Sequence, residues 1–249
     1  SPEEKQQIIA EMGLEVNDGI LLAGSTHRGE EDYVLKAFRA VRKNNPQAKL
    51  VIAPRELLRT QEIIHLCKKA GFTVTTRTYL QENPGGGEDI VILDTIGELG
   101  KVYSIGDVVY VGGSLVPHGG HNILEPAAHG KAIIVGHYMF NFKDTHALFK
   151  NRDACVTVQD ENELVTQVVK LFDEPEHRHK MEQETLAIVK ENKGASRKSA
   201  VILRETLEEF ESCPENRQSV RSTQKIANFQ TYFIDLVHSK EVDGVCMHI

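Results

Sequence analysis

Short apolar runs alternate with amphipathic stretches of helical period along the first 173 residues, and this alternation narrows the fold more than any other feature. Residues 107–111 and 132–135 are the clearest runs. A strand with one wet face alternates polar and apolar side chains. These do not, so both of their faces are covered, as in a parallel sheet with helices on each side. Residues 20–23, 50–53, 90–93 and 154–158 read the same way, and 72–76 is a β-branched strand. Between the strands, residues 30–44 place Val34, Phe38 and Val41 on one helical face. Further helices are expected at 1–17, with Pro2 in the first turn and Gly13 as the stop, and at 57–70, closed by Gly71. Others are expected at 98–104, 122–129, 175–191 and 196–210, with one more opening at Asp160, where Glu163 completes a capping-box pattern. Residues 83–87 (Asn-Pro-Gly-Gly-Gly) read as a flexible surface loop. The expected fold is α/β: an open, doubly wound, mostly parallel, Rossmann-like sheet with C-terminal helices.

In such sheets ligands bind beyond the carboxyl ends of the strands. Those ends carry Gly24-Ser25-Thr26, Pro54-Arg55, Asp94-Thr95-Ile96-Gly97-Glu98-Leu99 and Gly112-Gly113-Ser114, so polar and glycine-rich residues converge on one edge.

Composition excludes several classes. A net charge of −7 argues against nucleic acid as a partner. Tryptophan is absent, so the core rests on Ile, Val, Leu and Ala. Cys67, Cys155, Cys213 and Cys246 form no CxxC pair; Cys67 and Cys155 read as buried side chains, and a reduced, cytoplasmic compartment fits best. No apolar run approaches the ~20 residues that span a bilayer, and no signal peptide is expected. His118, His121, His129 and His137 cluster in sequence, but their spacing matches no metal-ligand pattern, so no metal is expected.

The stretch from Val111 to Pro126, VGGSLVPHGGHNILEP, carries the most chemistry. A buried strand runs into a glycine-rich loop and then a helix expected to begin near Asn122. Glycines allow close backbone approach to a ligand, and a helix start offers free N–H donors, which together suit a phosphate. Glu125, one turn in, can accept from vicinal ribose hydroxyls. On spacing alone Asn122 reads equally as an N-cap and Glu125 as a first-turn acid. Arg55 suits a phosphate, and alternatively a surface ion pair with Glu56 or Glu62. Glu98 reads also as a helix-start acid, and Ser25 and Thr26 as N-caps of the next helix. Asn141-Phe142-Lys143 faces either the ligand cleft or loop packing.

Residues 112–144, GGSLVPHGGHNILEPAAHGKAIIVGHYMFNFKD, resemble the signature of the 3-deoxy-D-manno-octulosonic acid (Kdo) transferases. Gly24-Ser25-Thr26-His27 with Glu30, Ala53-Pro54-Arg55, and Asp94-Thr95-Ile96-Gly97-Glu98-Leu99 match in the same order, and the resemblance spans residues 14–175. It implies one half of a GT-B fold, in which two Rossmann-like domains face each other across the active-site cleft and the C-terminal domain binds the CMP-Kdo donor. Residues 1–210 are expected to form the CMP-Kdo-binding domain that the resemblance implies, and 211–249, which match none of its motifs, read as a helical or partly disordered tail. Pro54, Arg55, Gly97, Glu98, Leu99, Asn122, Ile123, Leu124 and Glu125 are implied at the CMP. Ser25, Thr26, Gly119, Gly120 and His121 are implied nearer the sugar or phosphate.

The implied reaction transfers Kdo from CMP-Kdo to a lipid A precursor in lipopolysaccharide biosynthesis, without a metal or other cofactor. The family's catalytic base, acceptor site and membrane association belong to its N-terminal domain, at the cytoplasmic face of the bacterial inner membrane. This chain is therefore expected to lack the base. A GT-B half using a UDP-sugar, or a non-catalytic nucleotide-binding module, are the competing expectations.

Overall fold

In a computed structural model, which describes residues 2–192, every segment expected to be extended is a strand: β1 Ile20–Thr26, β2 Lys49–Pro54, β3 Val74–Thr76, β4 Ile90–Ile92, β5 Val108–Val111, β6 Ala132–Gly136 and β7 Cys155–Val158. They form one sheet in the order β3-β4-β2-β1-β5-β6-β7, with every pairing parallel. The chain winds outward from β1 in both directions, so the crevice between β1 and β5 is the topological switch point.

The helices are α1 Pro2–Glu11, α2 Glu30–Asn44, α3 Thr60–Lys69, α4 Arg77–Glu82, α5 Leu99–Val102, α6 Leu124–Ala128, α7 Lys143–Asn151, α8 Glu161–Asp173 and α9 Pro175–Asn192. They cover both faces, as the unbroken apolar strands require. Leu22, Val51, Val109 and Ile133 point to one layer, with Met12 just after α1, Ile123, Phe149 of α7 and Ile188 of α9. Leu21, Leu50, Val108 and Ile134 point to the other, against Phe38 of α2, Ile63 of α3 and Leu164 of α8. Adjacent strand residues thus feed opposite cores, the period-2 rule applied to a sheet buried twice. Each fully buried Val, Leu or Ile contributes about 1.5–3 kcal/mol relative to exposure. Cys67 and Cys155 are buried free thiols, and burial pushes both up to about 12, which makes them unreactive.

Several boundaries differ from expectation for local reasons. α1 stops at Glu11 rather than near residue 17, because Gly13 turns left-handed (φ 64°) and the Leu14 amide reaches back to the Ile9 carbonyl. The loop at 83–87 is exposed, yet its glycines pack backbone to backbone on Gly13: a Cβ at Gly86 would lie 2.1 Å from the Gly13 carbonyl oxygen. α4 and α7 were not expected. α4 is six residues capped by the Thr76 hydroxyl, and α7 buries only Phe149 of its nine residues. Asp160 caps α8 as read, accepting from the Asn162 and Glu163 amides. The Glu163 carboxylate reaches the Gln159 amide, one residue earlier than a capping box specifies.

Among the described residues no helix is long and apolar enough to cross a membrane. The helix expected at 196–210, the domain boundary at 210/211, the tail, Cys213 and Cys246 lie outside the described residues.

Candidate functional site

The carboxyl edge gathers most of the residues singled out above, with their roles redistributed. β1 ends at Thr26 and leads into His27, β2 ends at Pro54 and leads into Arg55, and β5 runs into Gly112 and Gly113. The Arg55 amide donates to the Thr26 carbonyl at 2.9 Å and the Gly112 amide to the Gly24 carbonyl at 2.8 Å, which stitches the three strand ends together. The Arg55 side chain is exposed and forms no ion pair among the described residues. The alternative pairing with Glu62 is closed off, because Glu62 is taken by Arg28 at 2.8 Å and Arg59 at 3.1 Å.

Thr26 departs from its expected role at the ligand. Its side chain is fully buried, and its hydroxyl donates to Glu31 at 2.9 Å. Glu31 in turn receives both terminal nitrogens of Arg59, at 2.9 and 3.1 Å. Thr26 therefore anchors the strand end from inside. Neither Ser25 nor Thr26 caps α2; that position is Gly29, in a left-handed conformation. Ser25 is half-buried at φ 54°, beside the bulge in the β1–β2 register and close to the buried Tyr103 phenol.

The glycine-rich loop splits into two parts. The first is filled by the protein itself. The fully buried Glu30 carboxylate accepts from the Gly113 amide at 2.7 Å, Ser114 at 3.1 Å, Leu115 at 3.0 Å, His27 at 2.9 Å and the Tyr110 hydroxyl at 2.6 Å. In the second part, Gly119 and Gly120 sit against Asn141 and Met139; a Cβ on them would lie 2.3 Å from Asn141 Nδ2 and 2.2 Å from the Met139 sulfur. Packing alone therefore requires glycine at both. Asn141 also donates to the His118 carbonyl, so its expected cleft-facing role gives way to bracing this loop, while Phe142 packs on the core and Lys143 opens α7 exposed.

That loop delivers two imidazoles to His27. The His27 and His121 Nε2 atoms lie 2.8 Å apart with the two rings edge to edge (centroids 5.1 Å), and His27 stacks on His118 (centroids 4.1 Å). Burial pushes His121 down to about 4, reinforced by the charges of His27, Arg55 and His118. Burial and His118 also lower His27, against the raising influence of Glu30, Glu56 and Glu31. The pair is neutral at pH 7, one ring donating and the other accepting. His27 was quoted in the sequence only as part of a motif; the signal that could have promoted it was its position at the end of the first buried strand. His129 and His137 lie elsewhere: His129 bonds the Gly100 carbonyl, and His137 packs on Tyr138.

The helix expected at 122–129 is the five-residue α6, starting at Leu124. Asn122 is not its N-cap; its Oδ1 accepts from the Leu124 amide at 3.0 Å in a local turn. Such a short helix sums few peptide dipoles, so its electrostatic pull on an anion is weaker than a full helix would give. Ile123 is fully buried in the core, so its side chain cannot face a ligand, whereas Leu124 is 40% exposed and Glu125 half-buried. α6 lies beside the Gly97-Glu98-Leu99 turn through the His129–Gly100 bond and the proximity of Glu125 to Tyr103. In that turn Gly97 is exposed and Leu99 half-buried. The Glu98 carboxylate pairs with Arg77 at 3.2 Å and accepts from the Thr95 hydroxyl. Burial acts to raise it, but Thr95 and Arg77 outweigh burial and hold it below the usual carboxylate range. Glu98 stands at the start of α5 with its carboxylate engaged by Arg77 and Thr95 and about a third of its side chain exposed.

A cavity of 470 Å³ opens at the amino edge of the sheet, by Gly13, Lys49 and Gly86, away from these residues. Another, of 220 Å³, borders Arg77, Gly97, Glu98 and Lys101 on the flank of the carboxyl edge.

A doubly wound parallel sheet with an arginine, imidazoles and a glycine-rich loop at its switch point is the Rossmann-like half of a GT-B glycosyltransferase. The family described as glycosyl transferases group 1 matches residues 26–186, and the chain belongs to it. Within it the chain is similar to 3-deoxy-D-manno-octulosonic acid transferases. It is 33% identical over 190 residues to that of Haemophilus influenzae (76% of this chain, 44% of the relative). It is 33% identical over 160 residues to that of Aquifex aeolicus (64% and 44%). The C-terminal CMP-Kdo binding domain of WaaA from Acinetobacter baumannii superposes with a TM-score of 0.68 at 26% identity, covering 75% of this chain and 96% of that domain. The chain spans less than half the length of the two transferases it matches.

Proposed function

We propose that this chain is the donor-binding half of a Kdo transferase and holds CMP-Kdo along the carboxyl edge of its sheet. The observation that carries the proposal is Arg55: an exposed guanidinium at the end of β2, free of ion pairs among the described residues and close enough to His121 to depress its basicity. In this reading Arg55 meets the single phosphate of CMP, bidentately where geometry allows. Pro54 fixes the strand end that carries it. The backbone of the exposed Gly97 and its neighbours Glu98 and Leu99 reads the cytosine edge, and Leu99 gives apolar cover. Asn122 keeps its amide NH2 for the ligand, Ile123 supplies backbone only, Leu124 lies against the nucleoside, and Glu125 accepts from the ribose hydroxyls. His121, with Ser25 and the backbone of Gly119 and Gly120, lies toward the sugar and phosphate.

The reaction breaks the bond between the sugar's anomeric carbon and the CMP phosphate oxygen, and the electron pair leaves with the phosphate. An acceptor hydroxyl bonds that carbon and gives its proton to a base. Arg55 and the imidazole donors stabilise the departing phosphate directly, so leaving-group stabilisation calls for no metal. The base, the lipid A precursor and contact with the cytoplasmic face of the bacterial inner membrane are assigned to a second domain. The exposed apolar side chains Leu58, Ile96, Leu124 and Phe140, which follow β2, β4, β5 and β6, suit the facing wall of such a cleft.

Calorimetric titration with CMP, UDP and CMP-Kdo, followed by amide NMR, tests the proposal. Expected are CMP binding in preference to UDP and perturbed amides near residues 55, 98 and 122. Absence of CMP binding at millimolar ligand overturns it, and tighter binding of UDP moves the donor to the UDP-sugars.

A further inference from the structure

Backbone amides at the end of a central strand ordinarily offer a nest for an anion. Here the nest is already occupied. The Gly113, Ser114 and Leu115 amides all point at one carboxylate, Glu30, which is fully buried and also accepts from the Tyr110 hydroxyl and the His27 amide. Glu30 sits in the first turn of α2, after β1; the nest follows β5. The carboxylate therefore bridges the two strands that bound the switch point, and it holds the backbone of His27 on one side and the loop leading to His118 and His121 on the other. Five donors on one carboxylate leave its oxygens no capacity for a ligand.

We infer that Glu30 is a positioning residue: by filling the amide nest with its own carboxylate it fixes the His27–His121 pair beside Arg55 and transfers anion recognition at this edge from backbone to side chains. This deepens the donor-site proposal and rests on it for the identity of the anion. The groups that face the pair are named by the geometry. His27 stacks on His118, the Glu30 carboxylate accepts its amide, and Glu31 and Glu56 lie within electrostatic reach; His121 contacts His27 and lies within reach of Arg55 and His118. A donor phosphate entering here meets two imidazoles and a guanidinium instead of a ring of amides. Neutral imidazoles offer directed N–H donors without charge, so in this subsite the guanidinium supplies the positive charge and the histidine rings supply orientation.

The test uses the whole 249-residue chain. In Glu30→Gln, one oxygen becomes an NH2 group that cannot accept from the nest. The His121 ring is followed by NMR without ligand, and CMP affinity by calorimetry. Expected are a His121 titration midpoint moving up from about 4 toward the ordinary 6.5 and a tenfold or greater loss of CMP affinity. An unchanged midpoint with unchanged affinity overturns the inference, and so does lost affinity with the midpoint unmoved, since a loosened pair must titrate differently. The ligand-free midpoint separates this inference from the donor-site proposal: a wild-type chain that ignores CMP sinks that proposal alone. If Glu30→Gln does not fold, the wild-type amides decide. Residues 113, 114 and 115 should keep their shifts and their exchange protection in saturating CMP while the His27 and His121 rings move. Amides 113–115 moving as far as those rings places the phosphate in the nest and overturns the inference.

Discussion

His27 and His121, ninety-four residues apart in sequence, meet Nε2 to Nε2 at 2.8 Å across the switch point of the sheet. Only one of the two rings can donate in that contact, so the pair requires at least one neutral imidazole. His121 is the ring held neutral: its basicity falls to about 4 through burial and the neighbouring His27, Arg55 and His118. A histidine whose folded value lies below its unfolded value of about 6.5 binds fewer protons when folded. Its contribution to stability is therefore intact above about 6.5, and it is lost progressively as pH falls toward 4. We expect the wild-type chain to lose more stability between pH 7 and 4.5 than His121→Asn does, by about 1–2 kcal/mol after allowing for partial solvent screening. Urea unfolding of both chains at the two pH values checks this. Equal losses in the two would show that His121 is not the buried neutral ring.

Arg55→Ala separates binding from folding. The guanidinium is exposed and unpaired among the described residues, so its removal should change stability by less than about 0.5 kcal/mol. A lost charge-assisted hydrogen bond to phosphate should weaken CMP by about 1.5–3 kcal/mol, and the deficit should shrink at high salt. Calorimetry at low and high ionic strength measures both. Unaltered CMP affinity would place the phosphate elsewhere.

Glu125→Ala probes the nucleoside end of the same ligand. Two ribose hydroxyls donating to one carboxylate make a charged contact, so the variant should bind CMP about 1–3 kcal/mol more weakly. The 2′-deoxy analogue should lose less in the variant than in the wild type, because one donor is already missing. A wild type that binds CMP and 2′-deoxy-CMP equally would remove Glu125 from the ribose.

The sheet was legible in the sequence because a strand buried on both faces writes itself as an unbroken apolar run, as Val108 to Val111 do. The placement of Arg55 and the Gly97 turn just beyond β2 and β4 was legible because each directly follows an apolar run. What stayed hidden has physical causes. α7 exposes most of its nine residues and buries Phe149 alone, so it presents little helical stripe. Thr26 and Ile123 looked like ligand residues because a motif records which residues are adjacent in the chain, not which way each side chain turns. In the sequence Glu30 enters only as part of the Gly24-Ser25-Thr26-His27 motif. Its role as the anion of the 113–115 nest depends on β1 and β5 being neighbours, a long-range fact that no local pattern carries.

Gly24 and Tyr103 give a packing test that reaches the site. A Cβ at Gly24 would lie 2.2 Å from the Tyr103 hydroxyl oxygen and 2.8 Å from its ring. Tyr103 is 1% exposed and packed in the core, so its ring cannot swing into solvent without breaking that packing. Gly24→Ala should cost about 1–3 kcal/mol through overpacking. Since Tyr103 also lies close to Glu125, the same variant should bind CMP more weakly, and trimming the ring in Gly24→Ala/Tyr103→Leu should restore stability in part. A double variant no more stable than the single one would show that the clash is relieved by some other movement.

Glu31 and Arg59 are the interior counterpart of the exposed Arg55. Their side chains are 0% and 7% exposed, joined by two bonds at 2.9 and 3.1 Å. Burial works against the Arg59 charge, yet its bonds to Glu31 and Glu62 hold the guanidinium above its ordinary value. Arg59 Nε is buried without a partner among the described residues, so the pair already lacks one hydrogen bond and Glu31 supplies most of the compensation. Glu31→Ala should therefore cost about 3–5 kcal/mol, because it leaves a charge in the interior with only the half-exposed Glu62 beside it. Removing both charges with apolar side chains of similar size, as in Glu31→Leu/Arg59→Met, should cost much less than the single change. The consequence extends to the ligand edge. Glu31 also holds the Thr26 hydroxyl, and the Thr26 carbonyl holds the Arg55 amide. Glu31→Ala should thus lower CMP affinity in whatever fraction still folds, while the double variant keeps the strand end packed and recovers part of it. Urea unfolding and CMP titration of the two variants measure both effects. A single variant as stable as the wild type would mean that the Arg59 charge reaches water when its partner is removed.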